Sequence, residues 1–210
     1  MSVPSLPRLR VPRLPSSPFD GGDWDQAAVL GPFLLSHGRS RPRQGVSARL
    51  GADDAALYVR FDCEDSEPWG TMRQRDDPIY EEEVVEVFLA PGTGDPPAYF
   101  EYEVSPTGVL FDARIENPHA RRSDMKIHTD WDCAGIRWTA GLVPGGWWAA
   151  LALPWVPMLG GAPMPALWRA NLYRIDRPRG APPEFCAWSP TLADPPDFHL
   201  PARFGMLELG

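Results

Sequence analysis

No stretch of the chain approaches the ~20 consecutive apolar residues that a membrane-spanning helix needs, so a membrane partner is not expected. The opening Met-Ser-Val-Pro-Ser-Leu-Pro-Arg lacks the apolar core of a secretory leader. As written, the chain is expected in the cytoplasm, or outside the cell if an export signal lies beyond this sequence. Basic residues are also in short supply: Lys and Arg total 20 against 28 Asp and Glu, a net charge of −8. A nucleic-acid partner, which needs a basic face, is excluded on that balance. Cys63, Cys133 and Cys186 are too few, and odd in number, for a disulfide framework, so they read as isolated buried thiols. No internal repeat, haem-attachment motif or second domain is visible.

Turn residues, by contrast, are abundant: 26 Pro and 19 Gly among 210 residues favour many short elements over long helices. Period-2 alternation supplies those elements. In Leu57–Cys63 the odd positions are apolar, with Arg60 and Asp62 turned outward. In Tyr99–Val104, Phe100, Tyr102 and Val104 share one face and Glu101 and Glu103 the other, which reads as solvated. Ser105-Pro-Thr-Gly108 is a hairpin turn into Val109–Ile115. Further strands are expected at 84–89, 135–142, 146–153, 167–175, 184–188 and 204–209. Residues 116–130 read as a polar loop, and residues 154–159 hold a helical turn at best because of Pro157. About ten short strands at this spacing predict an all-β, antiparallel two-sheet sandwich, jelly-roll-like, with little helix. Residues 1–18, alternating Pro with Arg and Leu, are expected to form an extended or partly mobile arm, and residues 19–210 a single sandwich domain.

The segment Asp76–Ala90 carries most of the functional information. Val84, Val85, Val87, Phe88 and Leu89 read as a buried strand, yet Glu86 sits in their midst, where an unpaired carboxylate is costly to desolvate. Such a strand either opens one face to a polar ligand or pairs Glu86 with Arg174 or Arg169. Tyr80 offers an aromatic surface at the rim. Trp147, Trp148, Trp155 and Trp168 lie in apolar runs and are core candidates, whereas Trp188 stands at a strand end beside Ser189-Pro190. His199 reads as structural. The groups Asp20/Asp23/Asp25 and Asp62/Glu64/Asp65 have oxygen ligands for a hard cation but match no specific loop pattern.

The ordered landmarks are Leu57-Tyr-Val-Arg-Phe61, Tyr80-Glu-Glu-Glu-Val-Val-Glu-Val-Phe88, Tyr99–Gly108, Trp147–Trp155, Trp168-Arg-Ala-Asn-Leu-Tyr-Arg174, Ala187-Trp-Ser-Pro190 and Phe198–Gly205. In this order and spacing, over roughly residues 15–209, the chain resembles the family 9 carbohydrate-binding modules. The resemblance implies a sandwich that binds mono- or oligosaccharides, often at a chain end, between two aromatic rings, with calcium as an ion that can stabilise the fold. By position it places Tyr80 and Trp188 at the two clamp aromatics and Glu86 at the acidic strand residue that bonds sugar hydroxyls. It places Tyr173 near an amide position. Tyr80 stands where such modules carry Trp. The strand Leu167–Ile175 turns Arg169, Asn171 and Tyr173 to one face, with Trp168, Ala170, Leu172 and Arg174 on the other. Asn171, Tyr173 and Arg174 complete the expected binding set.

Other classes stand beside this one. A glycoside hydrolase would use Glu86 and Glu103, two carboxylates placed about 5–9.5 Å apart around a bond. A haem-carrying sandwich would hold iron through Met72, Met125, Lys126 or His128. A sandwich that has lost its ligand is the remaining alternative, and any partner enzyme is unidentified.

Overall fold

The computed structural model describes residues 5–210. Its two sheets follow from the alternation. β4 (Val46–Ala52), β5 (Ala56–Glu64), β10 (Arg137–Val143), β11 (Gly146–Pro154) and β2 (Ala28–Leu30) form the smaller sheet in the order β10-β11-β5-β4-β2. Leu57, Val59, Phe61 and Cys63 of β5 point into the core between the sheets, while Arg60 and Asp62 pair with each other on the outer side.

The larger sheet runs β1 (Arg8–Val11), β14 (Gly205–Leu209), β12 (Leu167–Asp176), β6 (Val84–Pro91), β7 (Ala98–Val104), β8 (Leu110–Glu116), β9 (Lys126–His128). On a branch, β13 (Glu184–Ala187) pairs with β12, and β3 (Leu34–Leu35) pairs with β13. Strands β1 and β14 are parallel, and the other strand pairs named above are antiparallel. The expected all-β sandwich is what forms, with one five-residue helix, α1 (Trp155–Leu159). Pro157 is accommodated there because the first turn of a helix has no intrahelical N–H bonds to lose.

The larger sheet is buried on both faces, which explains why β6 is nearly all apolar rather than alternating. Val85, Val87 and Leu89 join Trp147, Trp155, Trp168 and Leu172 in the core between the sheets. Val84, Phe88 and Ala90 face outward, under loops that carry Phe198 and Phe204. Burying the aromatics of this double core stabilises the fold by roughly 1.5–3 kcal/mol per side chain before entropy is counted.

Several sequence expectations change. Of the N-terminal arm, residues 1–4 lie outside the described residues, but Arg8–Val11 form a sheet strand, and Val11 and Leu14 are buried. Residues 116–130 contain the edge strand β9. Trp148 is not a core residue: its position in β11 turns it to the outer face of the smaller sheet, where the Arg60 guanidinium lies 4.7 Å above its ring. Gly141 opposite is required there, since a Cβ would come within 2.8 Å of the indole nitrogen.

Candidate functional site

A cavity of about 380 Å³ opens on the outer face of the larger sheet. Its floor comes from two adjacent strands. Glu86 of β6 stands directly across from Glu103 of β7, and Glu101 projects from the same face two residues along. One oxygen from each of the three lies within 4.8 Å of the others. All three are buried, Glu103 completely, and Glu103 has no hydrogen-bond partner beyond its neighbour Glu101. Burial is the main force on these acids. It lifts Glu101 to about 7. Glu86, with Glu101 beside it, and Glu103, facing both Glu86 and Glu101, are pushed well above the ordinary carboxylate range. Three neighbouring carboxyls in one dry place cannot all be ionised, so the cluster holds protons at neutral pH.

The walls are aromatic. Tyr80 sits on a short 3-10 turn, Ile79–Glu81, anchored by fully buried Ile79. Arg177 bonds the Tyr80 and Glu82 carbonyls from the other side, each at 3.2 Å. Glu82 and Glu83 accept the backbone N–H groups of Thr71 and Trp69, tying the preceding loop to the same turn. The ring of Tyr80, 42% exposed, meets Phe111 edge-on at 5.6 Å. Across the cavity stand Phe185, half-buried beneath the Arg177 guanidinium, and Phe198. His199 lies at the side, its Nδ1 hydrogen-bonded to the Tyr99 hydroxyl at 2.8 Å. Its burial, together with the nearby Arg122 charge, lowers it to about 4, so it is neutral at pH 7.

No protein-family profile matches the chain. A protein from Bacteroides uniformis, described as a candidate carbohydrate-binding protein, superposes with a TM-score of 0.77 at 17% identity, over 98% of this chain and all of that one. A family 9 carbohydrate-binding module from Caldicellulosiruptor kristjanssonii, solved with glucose, gives 0.66 at 16% identity, covering 97% of this chain and 96% of the module. A module of the same family and organism, solved with cellotriose, gives 0.63 at 14% identity, covering 97% and 93%. The fold is that of the family 9 carbohydrate-binding modules. In sequence, a protein of Arthroderma benhamiae named as an extracellular protein is 25% identical over 173 residues, 78% of each chain. No helix among the described residues is long and apolar enough to cross a membrane.

Within this module fold, Tyr80 and Glu86 are the expected site residues that line the cavity. Trp188 is not opposite Tyr80. In and after β13, alternation sends Phe185 and Ala187 outward and Cys186 and Trp188 inward, so Trp188 lies in the core between the sheets, 8% exposed. A Cβ on Gly205 would come within 2.5 Å of its ring, which shows how closely it is packed. Arg174 is likewise on the inner face, fully buried, and bonds Asp65 at 2.8 Å and the Glu64 carbonyl at 2.8 Å. Neither it nor Arg169, which bonds the Pro201 carbonyl, pairs with Glu86.

Asn171 and Tyr173 face the right side but serve as scaffold. Asn171 donates to the Tyr173 hydroxyl and the Ser189 carbonyl, Tyr173 donates to the Phe198 carbonyl, and the Phe198 ring stacks on Tyr173 at 4.0 Å. They hold the wall; they do not form it. Glu101 and Glu103, expected as a solvated face, are the floor, and His199, expected as structural, borders it. The alternation in Tyr99–Val104 already put the two acids on one face, but the pairing that sets Glu103 beside Glu86 comes only with the fold.

The two acid groups read from the sequence as cation candidates do not converge. Asp20 pairs with Arg137, Asp62 with Arg49 and Arg60, and Glu64 accepts the Gly45 N–H. Asp65 instead meets Glu83 and Asp176 around Arg174. A calcium ion there would sit against a guanidinium, so this donor set does not fit one.

Proposed function

We propose that the chain is a carbohydrate-binding module that seats a sugar in the cavity above Glu86, Glu101 and Glu103. The aromatic-walled, carboxyl-floored cavity carries this reading: a sugar offers apolar C–H faces to Tyr80, Phe185 and Phe198 and hydroxyls to the carboxyl groups below. The modules of the same fold solved with glucose and cellotriose support it. Aromatic contact here comes from Tyr80 on one side and the Phe185–Phe198 corner on the other.

The role we assign is binding without catalysis. Glu86 and Glu103 rise side by side from adjacent strands, so both approach a ligand from beneath, whereas glycoside hydrolysis needs carboxyls on the two sides of the scissile bond. For iron, Ile127 of β9 lines the cavity, which turns Lys126 and His128 to the opposite side, and His128 meets Glu116. The name of the fungal relative supports the extracellular alternative over the cytoplasmic one.

Titration calorimetry against glucose and cello-oligosaccharides tests the proposal. Because the site is small and association costs several kcal/mol of rigid-body freedom, micromolar or weaker affinity is expected. Tyr80→Ala, at an exposed ring, should weaken binding by about 1–2 kcal/mol with an unchanged melting temperature. Equal affinity in that variant would remove Tyr80 from the site, and no heat with any sugar of a glycan panel would overturn the function.

A further inference from the structure

Three acid clusters occur among the described residues, and two of them carry their own cation. Arg174 lies among Asp65, Glu83 and Asp176, with Nη2 at 2.8 Å from Asp65 and 3.8 Å from Asp176. Arg75 serves Asp76, Asp112 and Asp132, with Nη2 at 2.6 Å from Asp112 and 2.9 Å from Asp132. The cavity floor is built differently. Among the described residues, no lysine or arginine forms an ion pair with Glu86, Glu101 or Glu103. His199 Nε2 lies 3.9 Å from Glu101, and the Arg122 charge acts on Glu86 and Glu101 from further away without contacting them. Both oxygens of Glu103 are buried at the cavity and have no partner outside the acid cluster itself.

Other charged groups at the cavity are already committed. Arg122 pairs with Asp197 at 2.9 Å, and Arg177 is held by two backbone carbonyls over the Phe185 ring. The Tyr173 and Tyr99 hydroxyls bond Phe198 and His199, respectively. From β8 and β9 only Phe111 and Ile127 reach the site. A cation entering here would meet three acids with no fixed cation in contact below and aromatic faces around it, the surroundings in which an organic ammonium is held by charge and by ring quadrupoles together.

We propose that the cavity selects an amino sugar, whose ammonium group rests on the Glu86–Glu101–Glu103 floor and supplies the positive charge that Arg174 and Arg75 give the other two clusters. The inference rests on the carbohydrate reading and narrows it to a ligand class. An ammonium fits better than a bare divalent ion. Calcium takes 6–8 oxygen ligands, whereas most of this lining is aromatic or aliphatic, with only the Tyr80 and Thr129 hydroxyls to add to the carboxyls. A neutral sugar leaves the floor protonated, while an ammonium draws it into the ionised form, so binding releases protons to solvent.

The experiment compares glucose with its 2-, 3- and 6-amino-deoxy analogues, and with N-acetylglucosamine as the uncharged amide, by calorimetry on the full chain. At about pH 7, one of the amines should bind at least about tenfold tighter than glucose, and its heat should vary with the ionisation enthalpy of the buffer as protons leave. N-acetylglucosamine should show no such gain. In Glu103→Gln, and separately in Glu101→Gln should the first fail to fold, the ratio of amine to glucose affinity should fall toward one. Glucose binding as tightly as every amine would overturn the amino-sugar inference and leave the carbohydrate reading standing. Silence from all sugars would overturn both. Calcium or magnesium chloride alone saturating the site and blocking the amine would replace the inference with a metal site.

Discussion

Arg174 and Glu86 lie one register step apart on the adjacent strands β12 and β6 and face opposite sides of the larger sheet, and each side holds three acids. On the inner side the acids surround a fully buried guanidinium, which also bonds the Gly45 and Glu64 carbonyls. On the outer side the acids surround a cavity and lack a fixed cation. A buried charge is tolerated when its partner is built in, and it costs stability when it is not. The inner cluster therefore acts as a structural knot between β12 and the β5 end of the smaller sheet. On the function proposed above, the outer one keeps unfavourable electrostatics in place for a ligand to relieve, the pattern by which perturbed acids mark functional positions.

Removing the inner cation is the harshest way to break this contrast. Arg174→Met should cost about 3–5 kcal/mol, because Asp65 and Asp176 lose their partner in a dry place. A denaturant midpoint close to wild type would show that the inner acids are as self-sufficient as the outer ones.

Next in size is the pH response of the outer cluster. Glu101 has its proton held to about 7 in the folded state against 4.5 ordinarily, so the folded form binds the extra proton. This contribution to stability is fully present at low pH and is lost as pH rises from about 4.5 through about 7, with Glu86 and Glu103 carrying the decline higher. Burial likewise raises Glu83 of the inner cluster, to about 8, which adds a decline of the same sign. His199, beside Glu101 and held down to about 4 from 6.5, acts in the opposite sense, losing stability as pH falls through that range. The difference between wild type and Glu101→Gln isolates the outer contribution, on the order of 1–3 kcal/mol. Melting curves from pH ~5 to ~8 should be flatter in the variant, and identical slopes would put the proton elsewhere.

The smallest effect sharpens the same comparison from the inner side. Since Arg174 fills the place a metal would take, a chelator should leave the melting temperature unchanged. A drop reversed by calcium would show that the ion family 9 modules can use is used here too.

Much of the fold was legible because period-2 patterning maps directly onto faces: Leu57–Cys63 and Tyr99–Val104 alternate as read, and their apolar faces meet between the sheets. The cavity was legible where the same strand told its story alone, at Glu86 and Tyr80. It was obscured where two things had to be known together. Glu101 and Glu103 look like solvent-facing acids until loops carrying Phe198 and Tyr80 are laid over them, a tertiary fact that no strand pattern contains. Trp188 failed for a different reason. An aromatic at a strand end can face either side, and β13 continues its alternation one residue past its last ladder pair, Tyr173 with Ala187, which turns the indole inward. Arg174 and Arg169 read from the sequence as buried ion-pair partners but of the wrong acid, because sequence does not show that Arg174 reaches Asp65 and Arg169 the Pro201 carbonyl.

The parallel pairing of β1 with β14 has a mechanical consequence. Arg8 lies beside Met206 and Val11 beside Leu209, so the strand nearest one end of the chain runs in the same direction as the strand nearest the other. Tension applied through flanking segments on both sides would pull these neighbours past one another along their length. Their interstrand bonds, including Met206 N–H to the Pro7 carbonyl and Gly210 N–H to the Val11 carbonyl, would be loaded together rather than opened one at a time. Strung between two neighbours in a longer polypeptide, the sandwich would meet a stretching force in shear at this edge. The cavity, bordered by β9 at the far edge of the same sheet, would lie away from the line of pull.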